Sequence, residues 1–246
     1  MRKFGLIGYP LSHSFSQKYF TEKFRREHID DCLYENFSFA SIDALPDLLS
    51  SQPELIGLNV TIPYKQQVIP FLHSSNEVVQ RIAACNCIHI KNGRLFGFNT
   101  DVYGFEYSLQ KHLKDHHTKA LILGTGGASK AVEYVLQKHG ISYKSVTRNP
   151  SFESDQYISY KEVTPTLIEA YTLIVNTTPL GMYPNVDECP DLPYRFITSK
   201  HYLFDLIYNP AKTLFLQKGE ERGAAIENGS EMLVIQAEES WKIWNS

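Results

Sequence analysis

The sequence predicts an α/β protein built from two domains. Three observations lead to this prediction. Segments typical of strands and helices alternate along the 246 residues, a glycine-rich turn in mid-chain joins a strand to a helix, and a polar segment precedes that strand. Apolar residues make up 43% of the chain, enough for a substantial hydrophobic core.

The first half alternates between short apolar runs and segments of helical periodicity. An apolar run that stops at residues 8–10 (Gly-Tyr-Pro) predicts a strand, and Phe15 and Phe24 lie on the apolar face of the next helix. Asn92-Gly93 between two apolar runs predicts a tight β-hairpin. The predicted strands are residues 4–7, 33–39, 55–62, 85–90 and 95–98, and the predicted helices are residues 14–27, 42–49, 64–72 and 77–84.

The second half opens with a helix predicted at residues 102–116, which ends in a solvated segment suited to a domain junction. A compact apolar strand then runs into the glycine-rich turn, and a helix and a further strand follow. A strand, glycine turn, helix and strand within about 30 residues form a mononucleotide-binding unit. These four elements are predicted at residues 119–123, 124–129, 130–139 and 143–147, followed by strands at 173–176 and 203–206 and a last helix at 229–244.

Composition excludes several classes of partner. A net charge of −3 provides no global basic field, so we expect no nucleic acid partner. Four cysteines do not make a disulfide framework, and Cys85-x-Cys87 lacks a second pair at zinc spacing, so no metal is expected. No stretch approaches the roughly 20 apolar residues of a membrane helix, and the N-terminal apolar run is too short for a signal peptide. We therefore expect a cytoplasmic protein.

The glycine turn predicts a Rossmann-like dinucleotide site. Gly124 permits the tight turn, and Gly126 removes a side chain where the backbone approaches a pyrophosphate at the helix N-terminus. Gly127 and Ala128 follow, and Ser129 stands where the third glycine usually lies. The next predicted strand ends without the acid that holds the ribose of NAD, and Arg148 offers a fork suited to a 2′-phosphate. NADP is the predicted cofactor.

Three polar clusters in the first half have ordinary explanations when each is taken alone. Hydroxyls at residues 12–16 suit a helix cap, Lys65 suits a surface cation, and Asp101 suits the cap of the following helix. Together with the glycine turn, however, these clusters form a recognisable series. The series reads Gly8-Tyr-Pro-Leu-Ser-His-Ser-Phe-Ser16, Asn59-Val-Thr-Ile-Pro-Tyr-Lys65, Asn99-Thr-Asp-Val-Tyr-Gly104, Gly124-Thr-Gly-Gly-Ala-Ser129, Asn176-Thr-Thr-Pro-Leu-Gly181, Tyr208-Asn-Pro-Ala-Lys-Thr213 and Leu233-Val-Ile-Gln236.

This ordered series resembles the shikimate dehydrogenase family over nearly the whole chain. The resemblance implies an N-terminal substrate domain at residues 1–101, a Rossmann-like NADP domain at residues 102–228, a cleft between them, and the C-terminal helix at 229–246 packing back on the first domain. It implies reversible reduction of 3-dehydroshikimate to shikimate with NADPH, in aromatic amino-acid biosynthesis, by a monomer or homodimer.

The resemblance also implies a role for each matching residue. Lys65 and Asp101 would be the catalytic pair. Substrate would contact Ser14, Ser16, Asn59, Thr61, Asn86, Tyr208 and Gln236. The cofactor would contact Glu77, Gly124, Gly126, Gly127, Ala128, Ser129, Arg148, Leu206 and Gly229.

Three departures from the family pattern occur. The family's Gly-Ala-Val-Asn-Thr reads Ala83-Ala-Cys-Asn-Cys87, although Asn86 is kept. The family's Asn-Arg-Thr reads Thr147-Arg-Asn149, and the second basic residue expected a few positions later is missing.

Two alternatives stay open. One is a quinate or quinate/shikimate dehydrogenase using NAD, because the Ser14 and Ser16 pair does not decide between shikimate and quinate. The other is a nucleotide-binding regulatory relative without turnover.

Overall fold

In a computed structural model, which describes residues 1–11, 15–149 and 154–246, the chain divides into two compact units. We call Met1–Thr100 with Gln236–Ser246 the N-terminal unit, and Asp101–Ile235 the central unit. Each unit contains a β-sheet and helices, which confirms the predicted α/β class. The assignment of residues 1–101 to substrate and 102–228 to cofactor stays a prediction.

Helices and strands alternate along most of the chain. The N-terminal unit contains β1 (Arg2–Gly8), α1 (Phe15–Arg26), β2 (Cys32–Ser38), α2 (Leu45–Ser51), β3 (Leu55–Val60), α3 (Tyr64–Gln67), β4 (Ser74–Ser75), α4 (Glu77–Ile82), β5 (Cys87–Lys91) and β6 (Arg94–Phe98). The central unit contains α5 (Asp101–Gln110), β7 (Lys119–Leu123), α6 (Gly127–Lys138), β8 (Ser142–Thr147), β9 (Tyr157–Ser159), α7 (Pro165–Ala170), β10 (Leu173–Asn176), β11 (Tyr202–Asp205), α8 (Leu214–Glu220) and β12 (Ala225–Glu227), and α9 (Ser230–Trp244) runs through the boundary of the two units. None of the helices described is long and apolar enough to cross a membrane.

The sheet of the N-terminal unit is mixed. Its described strands lie in the order β2-β1-β3-β5-β6-β4, with β1 parallel to β2 and β3 and with β5 antiparallel to β3 and β6. β1 is buried from Phe4 to Gly8, as expected for a parallel strand covered on both faces. Ile7 lies beside Val60, so β1 and β3 end at one edge of the sheet. The segments that start at Tyr9 and Thr61 therefore leave from that edge.

The hairpin between β5 and β6 confirms the turn predicted at Asn92-Gly93. Lys91 pairs with Arg94 across the strands, leaving a two-residue loop. Asn92 has φ 51° and Gly93 has φ 72°, the left-handed backbone that a type I′ turn needs at both positions. The dipeptide therefore sets the register of the hairpin.

The central unit has a parallel sheet in which the order of the strands reverses beside the glycine turn. The described strands lie in the order β12-β11-β10-β7-β8-β9, and every neighbouring pair is parallel. The chain moves outward from β7 through β8 and β9, and then returns to the other side of β7 with β10. Ligands of such sheets bind at the carboxyl ends of the strands where the order reverses. The glycine turn follows β7 and lies at that point.

Several elements differ from the predictions. The helix predicted to reach residue 116 ends at Gln110, and the following segment turns, with the Lys114 N–H donating to His117 Nδ1 at 3.0 Å. The three-residue strands β9 and β12 were not predicted, because they are too short to show a period. α7 and α8 were also not predicted, although Thr164 and Thr213 cap their first turns.

Candidate active site

The glycine turn has the backbone that a phosphate-binding loop requires. Gly124 has φ 105°, and its N–H donates to the Val146 carbonyl at 2.8 Å. A Cβ at Gly124 would lie 2.8 Å from Thr177 Oγ1, so a side chain there would collide with the neighbouring turn. Apart from the chain neighbours of Gly126, no atom of the residues that the structure describes would lie within 4 Å of a Cβ at Gly126, so this part of the turn is open on its outer side. The turn therefore packs against the neighbouring turn at Gly124 and is accessible at Gly126.

The start of α6 supplies backbone donors next to this open side. Gly127 and Ala128 lie in the first turn, where N–H groups have no acceptor within the helix and the helix dipole favours an anion. Ser129 is fully buried, and both its N–H and its hydroxyl donate to the Gly126 carbonyl, at 3.1 and 2.7 Å. Ser129 therefore closes the turn through its own donors, and the donors left for a phosphate belong to the backbone of Gly127 and Ala128.

Arg148 lies directly after β8, on the strand beside the glycine turn. It is exposed and follows Thr147, which pairs with Ser159 of β9. Burial raises the pKa of the Tyr160 phenol, and the positive charge of Arg148 opposes that rise. With exposed Asn149 next in the chain, the strand end carries a cation and no acid.

Leu206 and Gly229 come together at the same edge of the central sheet. Leu206 follows β11, and its N–H donates to the Asn176 carbonyl at 3.0 Å. A Cβ at Gly229 would lie 2.1 Å from the Leu206 carbonyl oxygen, and the Gly229 N–H donates to the Ile207 carbonyl at 3.0 Å. Only glycine allows this close approach, so two residues 23 positions apart in the chain form one surface.

These features fit a nicotinamide dinucleotide phosphate. The open Gly126 backbone and the start of α6 suit a pyrophosphate, and Arg148 suits a 2′-phosphate. At the surface formed by Leu206 and Gly229, the glycine has no side chain, which suits the approach of a planar ring. All of these groups lie at the carboxyl edge of one sheet.

In the N-terminal unit, the predicted substrate residues belong to a chain of buried hydrogen bonds. Half-buried Ser16 is hydrogen-bonded to the Tyr34 hydroxyl, which donates to Asn59 Oδ1 at 2.8 Å. Complete burial raises the pKa of Tyr34 well above its usual value, so Tyr34 stays a neutral donor. Asn59 Nδ2 donates to Ser240 Oγ at 2.9 Å, which links β3 to α9.

The same chain continues to Asn86. Ser240 Oγ lies 3.3 Å from Thr100 Oγ1, and the Ser240 hydroxyl donates to the Gln236 carbonyl at 2.9 Å. Asn86 Oδ1 accepts the Thr100 N–H at 2.6 Å, and Asn86 Nδ2 donates to Thr100 Oγ1 at 3.0 Å. We call this chain the amide-hydroxyl network. Its members are Ser16, Tyr34, Asn59, Asn86, Thr100 and Ser240.

Lys65 is held at the carboxyl edge of the same sheet by the short helix α3. The helix begins after Thr61, whose carbonyl accepts the Tyr64 N–H at 2.9 Å. Tyr64 is buried, and its hydroxyl donates to the Phe39 carbonyl, which anchors the helix. The Lys65 carbonyl accepts the Cys85 N–H at 2.7 Å, while its side chain is only half-buried. The backbone of Lys65 is therefore fixed by hydrogen bonds, and the residue as a whole is partly exposed.

The remaining predicted residues are distributed over both units. Asp101 is buried and is the first residue of α5, and Tyr208 is 37% exposed after β11. Gln236 is buried in α9 within the N-terminal unit. Ser14 lies outside the described residues. The joint action of Lys65 and Asp101 stays a prediction.

Glu77 belongs to the N-terminal unit, whereas the other predicted cofactor residues belong to the central unit. It is exposed in the first turn of α4 in the N-terminal unit, after the cap Asn76. An acid at that position stabilises the helix through its dipole, an explanation that needs no ligand.

Sequence reasoning missed three members of the amide-hydroxyl network. Thr100 precedes Asp101 in a recognised motif, and Ser240 lies one helical turn after Gln236, so both could have been predicted from the sequence. Tyr34 could not, because its pairing with Asn59 depends on how the strands are ordered. Among the described residues, no cluster of three or more His, Cys, Asp or Glu could hold a metal, and none of the four cysteines forms a disulfide.

Comparison with known proteins gives consistent matches. The family model described as the shikimate dehydrogenase substrate binding domain matches residues 6–88. A curated relative named shikimate dehydrogenase (NADP(+)), from Methanosphaera stadtmanae, is 33% identical over 258 residues, covering 98% of this chain and 90% of its own.

Solved structures match over the full length. A chorismate mutase/shikimate 5-dehydrogenase fusion protein from Clostridium acetobutylicum superposes with a TM-score of 0.89 at 36% identity, covering 100% of this chain and 91% of the other. Shikimate 5-dehydrogenase from Thermus thermophilus in complex with NADP(H) and shikimate superposes with a TM-score of 0.86 at 28% identity, covering 99% and 93%.

Proposed function

The chain belongs to the shikimate dehydrogenase family, and from this premise we propose that it catalyses the reversible NADPH-dependent reduction of 3-dehydroshikimate to shikimate. This reaction belongs to aromatic amino-acid biosynthesis. Curated relatives carry the name of this NADP-dependent activity, and a solved relative holds both NADP(H) and shikimate.

One observation carries the proposal. In each unit separately, several of the residues assigned to ligands lie at the carboxyl edge of the sheet: Lys65 and Thr61 after β3 in one, and Gly124, Arg148 and Leu206 after β7, β8 and β11 in the other. Carboxyl edges of α/β sheets are where ligands bind. Residues from separate parts of the chain would not gather at these edges if they served only to stabilise the fold.

The chemistry assigned to the chain's own residues follows from their groups. NADPH, when bound, supplies the hydride. Negative charge then develops on the substrate ketone oxygen, and we assign the Lys65 ammonium to stabilise and protonate it. Asp101 orients that ammonium. Ser14 and Ser16 take the substrate carboxylate, and Asn59, Thr61, Asn86, Tyr208 and Gln236 take its remaining polar groups.

The proposal includes the cofactor side. Gly124, Gly126, Gly127, Ala128 and Ser129 form the turn that receives the pyrophosphate, and Arg148 takes the 2′-phosphate. Leu206 and Gly229 lie beside the nicotinamide, and Glu77 lies near the rim of the site. We further propose a cytoplasmic monomer or homodimer whose partners are small molecules, with no nucleic acid and no membrane.

A single assay tests the reaction and its two specificities. The purified chain is mixed with shikimate or quinate and with NADP or NAD, and the absorbance of the reduced nicotinamide is followed. We expect the highest kcat/KM for shikimate with NADP. A higher value for quinate with NAD would favour a quinate dehydrogenase, and no turnover with any pair, despite cofactor binding, would indicate a regulatory relative.

A further inference from the structure

Asp205, at the end of β11, is a fully buried carboxylate surrounded by three donors. Its Oδ1 accepts Asn176 Nδ2 and the Ile207 N–H, each at 3.0 Å, and its Oδ2 accepts the Thr213 hydroxyl at 2.5 Å. A buried carboxylate is costly unless such donors compensate it. We call Asp205, Asn176, Thr178, Ile207 and Thr213 the Asp205 network.

One branch of this network reaches the glycine turn. Because Asn176 Nδ2 is held by the carboxylate, its Oδ1 faces the other way and accepts the N–H and the hydroxyl of Thr178, at 3.0 and 2.7 Å. A Cβ at Gly124 would lie 3.0 Å from Thr178 Cγ2, so this threonine packs directly on the glycine turn. The Asp205 carboxylate therefore determines which way the Asn176 amide points and where Thr178 lies.

The second branch reaches the surface formed by Leu206 and Gly229. The Ile207 N–H donates to Asp205 Oδ1, and the Ile207 carbonyl accepts the Gly229 N–H at 3.0 Å. The backbone after β11 is thus held on one side by the carboxylate and on the other by the segment before α9. Both regions assigned to the cofactor are connected through a single side chain that belongs to neither.

We propose that Asp205 is a positioning residue for the dinucleotide, because it sets the Thr178 turn against Gly124 and the Ile207 backbone against Gly229 at the same time. This inference rests on the proposed function, since it names a residue that prepares the NADP site. An apolar side chain at 205 would leave Asn176 Nδ2 and the Ile207 N–H without an acceptor. The Thr178 turn and the Ile207 backbone would then no longer be held in place by one side chain.

The test measures NADPH binding directly, by titrating the fluorescence of the reduced nicotinamide with Asp205→Ala, Asp205→Asn and wild type. We expect Asp205→Ala to raise the Kd for NADPH roughly tenfold or more, because three hydrogen bonds are lost. Asp205→Asn keeps an oxygen for Asn176 and Ile207, and its NH₂ can donate to Thr213 Oγ1, so its Kd should stay within about threefold of wild type.

Hydrogen–deuterium exchange of the protein without cofactor supplies a second readout. The amides of Thr178 and Ile207 should exchange faster in Asp205→Ala and at the wild-type rate in Asp205→Asn, because those N–H groups depend on the network. Faster exchange spread evenly over the central unit would instead indicate general destabilisation and would overturn the proposal.

His201→Ala is the matched control at the opposite end of β11. His201 is buried, lies 3.0 Å from the Ile168 carbonyl through Nε2, and accepts the Thr198 N–H at 3.0 Å through Nδ1. Its loss should lower thermal stability without changing the Kd for NADPH. An equal rise of Kd in His201→Ala and Asp205→Ala would mean that Asp205 acts only through stability.

A second variant keeps the inference testable if Asp205→Ala does not fold. Thr178→Val removes one hydrogen bond to Asn176 and should raise the Kd for NADPH by about threefold, and an unchanged Kd would overturn the inference.

Two outcomes keep the inference separate from the proposed function. Wild type that binds no NADPH would overturn the proposed function as well. Wild type that binds NADPH and turns over shikimate, alongside Asp205→Ala with an unchanged Kd, would overturn the inference alone.

Discussion

The two units carry buried polar networks of opposite character. The amide-hydroxyl network of the N-terminal unit contains neutral groups only, and burial keeps Tyr34 neutral by raising its pKa. The Asp205 network of the central unit is centred on a carboxyl whose pKa burial raises to about 6, against the hydrogen bonds from Thr213, Ile207 and Asn176. The comparison teaches that one unit shapes its site with groups that ignore pH, and the other with a group that titrates.

In the N-terminal unit, the comparison predicts that the charge of Lys65 acts on the reaction. Lys65→Ala should lower kcat about 10²–10⁴-fold with little change in the KM for shikimate, because a positioned proton donor is lost. Steady-state kinetics measure the effect, and Lys91→Ala, an exposed lysine of the same unit, is the control. A change confined to KM would make Lys65 a binding residue.

In the central unit, Asp205 should add a pH-dependent contribution to stability. The pKa of Asp205 is about 6 in the folded protein and 3.8 in its ordinary state, so between these values the folded form binds more protons than the unfolded chain. Its contribution to the free energy of unfolding therefore falls as pH rises through this window, by at most about 3 kcal/mol. Urea unfolding of wild type minus that of Asp205→Asn isolates this slope.

Tyr194, a titratable group that senses the charge of this carboxyl, does not interfere. Burial raises the pKa of Tyr194, and Asp205 raises it further, so Tyr194 stays protonated throughout the window. A difference between wild type and Asp205→Asn that is flat with pH would remove the contrast between the two networks.

The neutral network should respond to the loss of a partner at every pH. Asn59→Leu leaves the Tyr34 hydroxyl and Ser240 without their amide, which should lower the free energy of unfolding by about 1–3 kcal/mol and the Tm by several degrees. Denaturant unfolding at two pH values measures this loss. Gln67→Leu, at an exposed position of the same unit, should change stability by less than about 0.5 kcal/mol.

The smallest expected effect concerns Arg148, an exposed cation of the central unit. Arg148→Ala should raise the KM for NADPH about tenfold and leave that for NADH nearly unchanged, because only the 2′-phosphate loses its partner. Kinetics with both cofactors measure the ratio, and Arg222→Ala, exposed in the same unit, is the control. Equal changes in the KM for NADPH and for NADH would mean that Arg148 maintains the conformation of the turn and does not bind the 2′-phosphate.

The sequence by itself determined the features that depend on neighbouring residues. The strand, glycine turn and helix at β7 and α6, the hairpin at Asn92-Gly93, and the absence of an acid after β8 all follow from backbone geometry within a few tens of residues. Such features could be predicted because the residue types that permit a left-handed turn or a close approach are few.

Contacts between distant side chains followed from the tertiary structure alone. It paired Tyr34 with Asn59 and placed Asp205 beside Asn176. Both contacts depend on the strand orders β2-β1-β3 and β11-β10-β7, which bring together residues about 25–30 positions apart. A buried polar group needs a partner, but local periodicity does not say which one, because the partner lies on a strand whose position is set by packing.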